Sequence, residues 1–286
     1  MSLTISRLQQ LKRQAGGTSP RQPHPAERPS VPSLDQLRSL LRLRASAPLA
    51  TGGGDRCLPG EEIAPGLHLI EEFLADAVPA MFDGAFDRGE AIAAEDLLFL
   101  DTETTGLAGG TGTRAFMIGA ADWCGGRLRI RQLLITRTAA EGAMLDVFAG
   151  WVHPDTVLCS YNGKCYDSPL LATRYRLARR AYPLFGLRHV DLLYPTRRRY
   201  RGVYENCRLA TIERQVLQVV REDDLPGSEA PAAWLGYLRG GNATLLRRVL
   251  AHNRQDVISL ASLLKHLSRL GPQSEQCLEG QKFPAP

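Results

Sequence analysis

No uninterrupted apolar run in these 286 residues approaches the ~18–20 residues that a bilayer-spanning helix needs, so no membrane partner is expected. The N-terminus, MSLTISRLQQLKRQAGG, lacks the apolar h-region of a signal peptide. Its apolar residues are spaced by Arg, Gln and Lys, and the expected location is the cytoplasm. C-x-x-C pairs are absent as well. The six cysteines, Cys57, Cys124, Cys159, Cys165, Cys207 and Cys277, have gaps that follow no zinc-ribbon pattern. They read as small buried hydrophobes or free thiols, with neither a structural zinc nor a disulfide expected. A composition of 44% hydrophobic and 23% charged residues excludes collagen-like, wholly disordered and disulfide-scaffold classes. The length fits one large domain or two small ones.

The net charge of +5 is unevenly placed. Residues 1–60 carry nine Lys/Arg against three Asp/Glu. Residues 164–214 carry twelve against four, including the run Arg197, Arg198, Arg199, Tyr200, Arg201. Arginine dominates, and guanidinium suits bidentate phosphate contacts better than ammonium does. The stretch reads either as a solvated helix face with a basic loop or as a track for a phosphate backbone.

Residues 14–32 are rich in Pro, Gly, Ser and Arg and bury too little apolar surface to offset their ordering entropy. Short helices are expected over 3–13 and from Ser33, where Ser33-Leu34-Asp35-Gln36 fits a capping box. Three parts follow: a basic, largely disordered extension over 1–60, a main domain over 61–270, and a flexible tail over 271–286. Within the main domain, LHLIEEF is a strand or a short amphipathic segment. DLLFLDTET (96–104) is a buried strand, and RAFMIGAADW (114–123) with RLRIRQLLIT (127–136) form a hairpin. Residues 139–151 are helical, TVLCSYN (156–162) is a strand, 168–181 is a helix and HVDLL (189–193) is a short strand. Helices follow over 208–219, 229–239 and 243–269. This order predicts an α/β domain with a mixed sheet.

Asp101 and Glu103 lie at the end of the apolar strand Leu97–Leu100 and, two apart, point to one face. Two carboxylates there repel each other unless a cation lies between them. In open α/β sheets, ligands gather at such strand ends. Thr104-Thr105-Gly106-Leu107 continues into a loop of small residues that a substrate can approach closely. Asp167 precedes Ser168-Pro169 and reads as a helix cap or a functional carboxylate. His252 and Asp256, four apart, share one helix face, as a surface pair or as part of a site.

Together, LDTETTGLAGGTGT (100–113), YNGKCYDSPLLATR (161–174), HVDLL (189–193), REDDLPG (221–227) and HNRQDVISL (252–260) resemble the motifs of the DEDD superfamily of 3′–5′ exonucleases, and within it the YprB-like, ribonuclease H-like domain family. The resemblance covers about residues 95–265. It implies a ribonuclease H-like fold, a mixed five-stranded sheet flanked by helices, and metal-dependent phosphodiester cleavage. On that pattern Asp101, Glu103, Asp167 and Asp256 match the metal-binding carboxylates, suited to two Mg²⁺ or Mn²⁺ ions. His252 takes the place of the general base. Family members with a histidine base usually leave four residues before the last aspartate, and those with a tyrosine leave three; this chain has histidine at the tyrosine spacing. Thr104, Gly106 and Leu107 would line the terminal-nucleotide site, and Asn162 and Lys164 would contact the strand. Arg197, Arg198, Arg199 and Arg201 would follow the backbone of DNA or RNA at a single-stranded end. Tyr182, Tyr194, Tyr200 and Tyr204 are candidates for base stacking, and Asp191 for a structural role. The N-terminal extension would tether nucleic acid or another protein. The competing class is a non-catalytic nucleic-acid-binding or partner-docking module of the same fold; such a module would be expected to lose carboxylates, and all four are present.

Overall fold

Leu97–Leu100 are apolar without alternation because both faces of their strand are covered. In this computed structural model, which describes residues 54–106, 111–221 and 225–271, Leu97 and Phe99 enter one core cluster and Leu98 and Leu100 another. The two helices expected before residue 50, the low-complexity stretch 14–32, Leu107, Cys277 and nearly all of the C-terminal tail lie outside the described residues.

Nine strands are described: β1 Glu61–Ala64, β2 Leu67–Ala75, β3 Met81–Phe82, β4 Ile92–Ala93, β5 Leu97–Thr104, β6 Ala115–Cys124, β7 Arg127–Ile135, β8 Val157–Ser160 and β9 His189–Asp191. The helices are α1 Glu141–Ala149, α2 Asp167–Leu177, α3 Leu193–Tyr200, α4 Leu209–Ile212, α5 Ala230–Leu238 and α6 Thr244–Leu270. α4 runs on into a π-helical turn, Glu213–Leu217.

The main sheet has seven strands in the order β1-β2-β7-β6-β5-β8-β9, rather than the five expected. The expected five form one side of it, and β1 and β2 extend the antiparallel edge. β2 pairs along its whole length with β7, which settles LHLIEEF as strand. β5 is antiparallel to β6 and parallel to β8, and β8 is parallel to β9, so the sheet is mixed. The carboxyl ends of β5, β8 and β9 therefore share one edge of the sheet.

α6 crosses the face that carries Asp101, Gly119 and Gln132, three residues paired side by side on β5, β6 and β7. Its buried stripe is Leu246, Val249, Leu250, Asn253, Val257, Leu260, Leu264 and Leu267, spaced for one helix face. α1 and α2 supply Met144, Leu145, Phe148, Leu171 and Tyr175 to the core cluster that holds Leu98 and Leu100. Burying ~25 cal/mol per Å² of such apolar surface is what holds helices to sheet.

Candidate functional site

Asp101 and Glu103 stand where β5 leaves the core, and Glu103 is buried. Asp101 Oδ2 accepts a hydrogen bond of 2.8 Å from Asn253 Nδ2. Asn253 is wholly buried, and its Oδ1 accepts at 2.8 Å from Gln132 Nε2. The space for it comes from Gly119, where a Cβ would sit 2.0 Å from Asn253 Oδ1. Sequence reading passed over Asn253. The signal was present, an amide placed in the apolar stripe of a long helix.

Asp167 is the first residue of α2, and Thr102 donates to its Oδ1 from both backbone N, at 3.1 Å, and hydroxyl. The turn before it depends on Asp191 at the end of β9. This carboxylate is 1% exposed and accepts from the backbone N–H groups of Asn162 (2.7 Å), Lys164 (3.1 Å) and Leu193 (3.1 Å). Asn162 sits at φ 65° there. A Cβ on Gly163 would lie 2.4 Å from Ser160 Oγ and 3.1 Å from Asp167 Oδ2, so only glycine lets the turn pass this close to Asp167.

Asp256 projects from α6 and is paired with Arg221. His252, one turn earlier, has Nε2 3.5 Å from Asp256 Oδ2 and Nδ1 3.1 Å from Arg221 Nη1. A guanidinium only donates, so Nδ1 accepts and the ring proton is on Nε2, facing Asp256.

Asp101 feels the charge of each of the other three acidic residues. Burial raises the Asp101 carboxyl well above its ordinary range, and the charges of Asp256, Asp167 and Glu103 push in the same direction, against the Asn253 hydrogen bond. Burial also raises Asp167, to about 6, with the Thr102 hydrogen bonds opposing. Asp256 is raised by burial, while Arg221 and His252 pull it down. Among the described residues, no three His, Cys, Asp or Glu side chains are gathered closely enough to hold an ion as they stand.

The remaining residues of interest divide. Thr104 Oγ1 donates to Gly106 O at 3.0 Å, and Leu107 is outside the described residues. Lys164 is exposed, with Nζ 6.0 Å from the Tyr194 ring centre. Arg197 and Arg201 are exposed. Arg198, exposed as well, and the half-exposed Arg199 bond to other parts of the chain: Arg198 Nη2 donates to Phe86 O and Asp87, and Arg199 Nη2 donates to Leu270 O and Gly271 O at the end of α6. Arg174, also in the basic stretch, is buried. It forks onto Glu141 and donates to Thr111 O, and so anchors the loop after β5. Tyr182 bonds to Ser168, while Tyr200 stacks on Tyr204 and bonds to His266. Tyr194 stays exposed, as does Tyr166 beside Asp167.

A family model described as RNase_H superfamily matches residues 98–268, more than half of the chain. The chain is 38% identical over 177 residues to the uncharacterized protein YprB of Bacillus subtilis (strain 168), an alignment that covers 61% of this chain and 42% of that one. It thus spans less than half the length of that relative. Among solved structures, the family B DNA polymerase of the hyperthermophilic archaeon Pyrobaculum calidifontis is similar at a TM-score of 0.46 and 18% identity, over 60% of this chain and 24% of that one.

Proposed function

The chain belongs to the ribonuclease H superfamily and carries a YprB-like domain, and from that premise we propose that residues 61–270 form a metal-dependent nuclease that hydrolyses phosphodiester bonds of DNA or RNA as a 3′–5′ exonuclease. The observation that carries the reading is the set of acidic charges around Asp101: those of Asp256, Asp167 and Glu103 all act on its carboxyl and, with its burial, raise its pKa, while Asn253 holds it in place. Their hard oxygen donors fit Mg²⁺ or Mn²⁺ and not zinc. Asp101, Glu103, Asp167 and Asp256 would hold two such ions. When bound, these supply charge neutralisation at the phosphodiester and acidify a water.

The protein's own part is positioning. Asn253 fixes the Asp101 carboxylate, and Thr102 fixes that of Asp167. His252 orients or deprotonates the water. With Nδ1 accepting from Arg221 and Nε2 facing Asp256, the ring orients; it can take a proton at Nε2 only after Arg221 leaves Nδ1. Lys164, Arg197 and Arg201 provide exposed cations for the backbone, with Tyr194 and Tyr166 as stacking faces for bases. Thr104, Gly106 and Leu107 border the terminal nucleotide.

A second reading, a non-catalytic docking module, is favoured by one observation: Arg221 already neutralises Asp256. A cleavage assay separates the two, with 5′-labelled single- and double-stranded DNA and RNA in Mg²⁺, Mn²⁺ or EDTA. A metal-dependent ladder supports the exonuclease, and discrete internal products an endonuclease. Binding without products supports the module.

A further inference from the structure

Arg221 opens the segment 221–227, whose sequence stands out but which the proposed reaction leaves without a task. Its guanidinium meets three groups at once. Nε and Nη2 fork onto Glu213 at 2.7 and 2.6 Å, Nη2 also pairs with Asp256 Oδ1, and Nη1 lies 3.1 Å from His252 Nδ1. Glu213 is 1% exposed and opens the π-helical turn after α4, an irregularity that often marks functional sites. It accepts a further hydrogen bond of 2.5 Å from Ser259 Oγ. Burial works against the Arg221 charge, yet Glu213 and Asp256 more than offset it and raise its pKa.

We propose that Arg221, anchored on Glu213, is a positioning residue that occupies Asp256 in the metal-free enzyme and yields that carboxylate to the divalent cation, so that metal entry is an exchange of one cation for another. The proposal rests on the metal-dependent reading above. The fork onto Glu213 is already a complete bidentate pair. A purely structural arginine has no need of a further contact with a second carboxylate, one that His252 also faces and whose charge acts on Asp101. A divalent ion on Asp256 would bring two more positive charges against the guanidinium, which cannot then hold its place. Glu213 gives it somewhere to stay: the contacts of Arg221 with Asp256 and with His252 break, and the fork survives. The same displacement frees His252 Nδ1.

The sign of a binding measurement tests this. Mn²⁺ alone is titrated calorimetrically into the full chain as wild type, as Arg221→Gln and as the double variant Glu213→Gln/Arg221→Gln. The double variant removes the buried carboxylate that the single one leaves without its guanidinium, and it decides the matter if the single variant does not fold. A competitor predicts Mn²⁺ bound about tenfold or more tightly without Arg221, the scale of one partly buried ion pair exchanged. It also predicts a larger Mn²⁺-induced rise in melting temperature. A structural arginine predicts the reverse, because its loss loosens the site. Unchanged or weaker binding by folded variants, with wild type binding normally, overturns this proposal alone. No binding by any of the proteins overturns the metal-dependent reading and this proposal with it.

Discussion

Asn253 donates to Asp101 Oδ2 at 2.8 Å from a fully buried position on α6, and it does so through the gap left by Gly119 on the neighbouring strand. The contact joins β5 to the long helix. Gln132, paired with Gly119 on β7, completes the row by donating to Asn253. The position of Asp101 is thus set by three strands and a helix.

Gly119→Ala is therefore expected to cost ~1–3 kcal/mol, as overpacking does, since a Cβ 2.0 Å from Asn253 Oδ1 forces the amide away from Asp101. Urea denaturation measures it. Gly236→Ala on α5, where nothing lies within 4 Å of the new Cβ, is the control and should stabilise by up to ~1 kcal/mol. Equal effects at the two positions would show that the close approach is not what Gly119 is for.

Asp101→Ala should abolish cleavage while the metal-free melting temperature stays level or rises. Removing this carboxylate relieves the repulsion it shares with Asp256, Asp167 and Glu103 and the burial of its charge. A large fall in the metal-free melting temperature would give Asp101 a structural role.

The pH dependence has a definite sign. Asp101, Asp167 and Asp256 all have pKa values raised in the folded chain, Asp167 from 3.8 to about 6. Between those values the folded protein holds more protons than the unfolded one, so stability falls as pH rises through the window. The metal-free melting temperature should fall from pH 4 to pH 7, and Asp167→Asn should flatten the curve. Mn²⁺ affinity should run the other way and rise over this range, because binding displaces those protons. A melting temperature that climbs steadily from pH 4 to pH 7 would contradict the burial of these charges.

The basic stretch divides into two experiments. Arg197→Ala/Arg201→Ala should lower the log–log salt slope of nucleic-acid binding by about two, close to one unit for each phosphate that no longer meets a guanidinium. Arg198→Ala/Arg199→Ala should leave the slope alone and lower the melting temperature, since these side chains tie α3 to Phe86, Asp87 and the end of α6. The opposite pattern would place the nucleic acid on the other face of α3.

The central strand, the hairpin after it and the helix of His252 and Asp256 were legible because their apolar patterns are local: Leu97–Leu100 is one run, and α6 is one stripe. The edge strands were harder. β2 is half-exposed, and its pairing with β7 depends on residues some sixty positions away. α3 was missed because it starts two residues after β9 and carries Pro195 in its first turn. Arginine side chains were the least legible, since their acceptors are set by the tertiary fold: Arg174 finds Glu141, and Arg221 finds Glu213 and Asp256. The acidic residues were recognisable by motif, whereas the groups that hold them, Asn253, Thr102 and Arg221, come from elements whose proximity no spacing announces.

Anomalous diffraction from crystals grown with Mn²⁺ decides whether the four carboxylates hold metal. Manganese peaks are expected within ligand distance of Asp101, with Glu103, Asp167 and Asp256 completing the sites, and those peaks should vanish in Asp101→Asn. Manganese bound elsewhere, or an Asp101 side chain that touches no ion at saturating Mn²⁺, would contradict the metal-dependent reading.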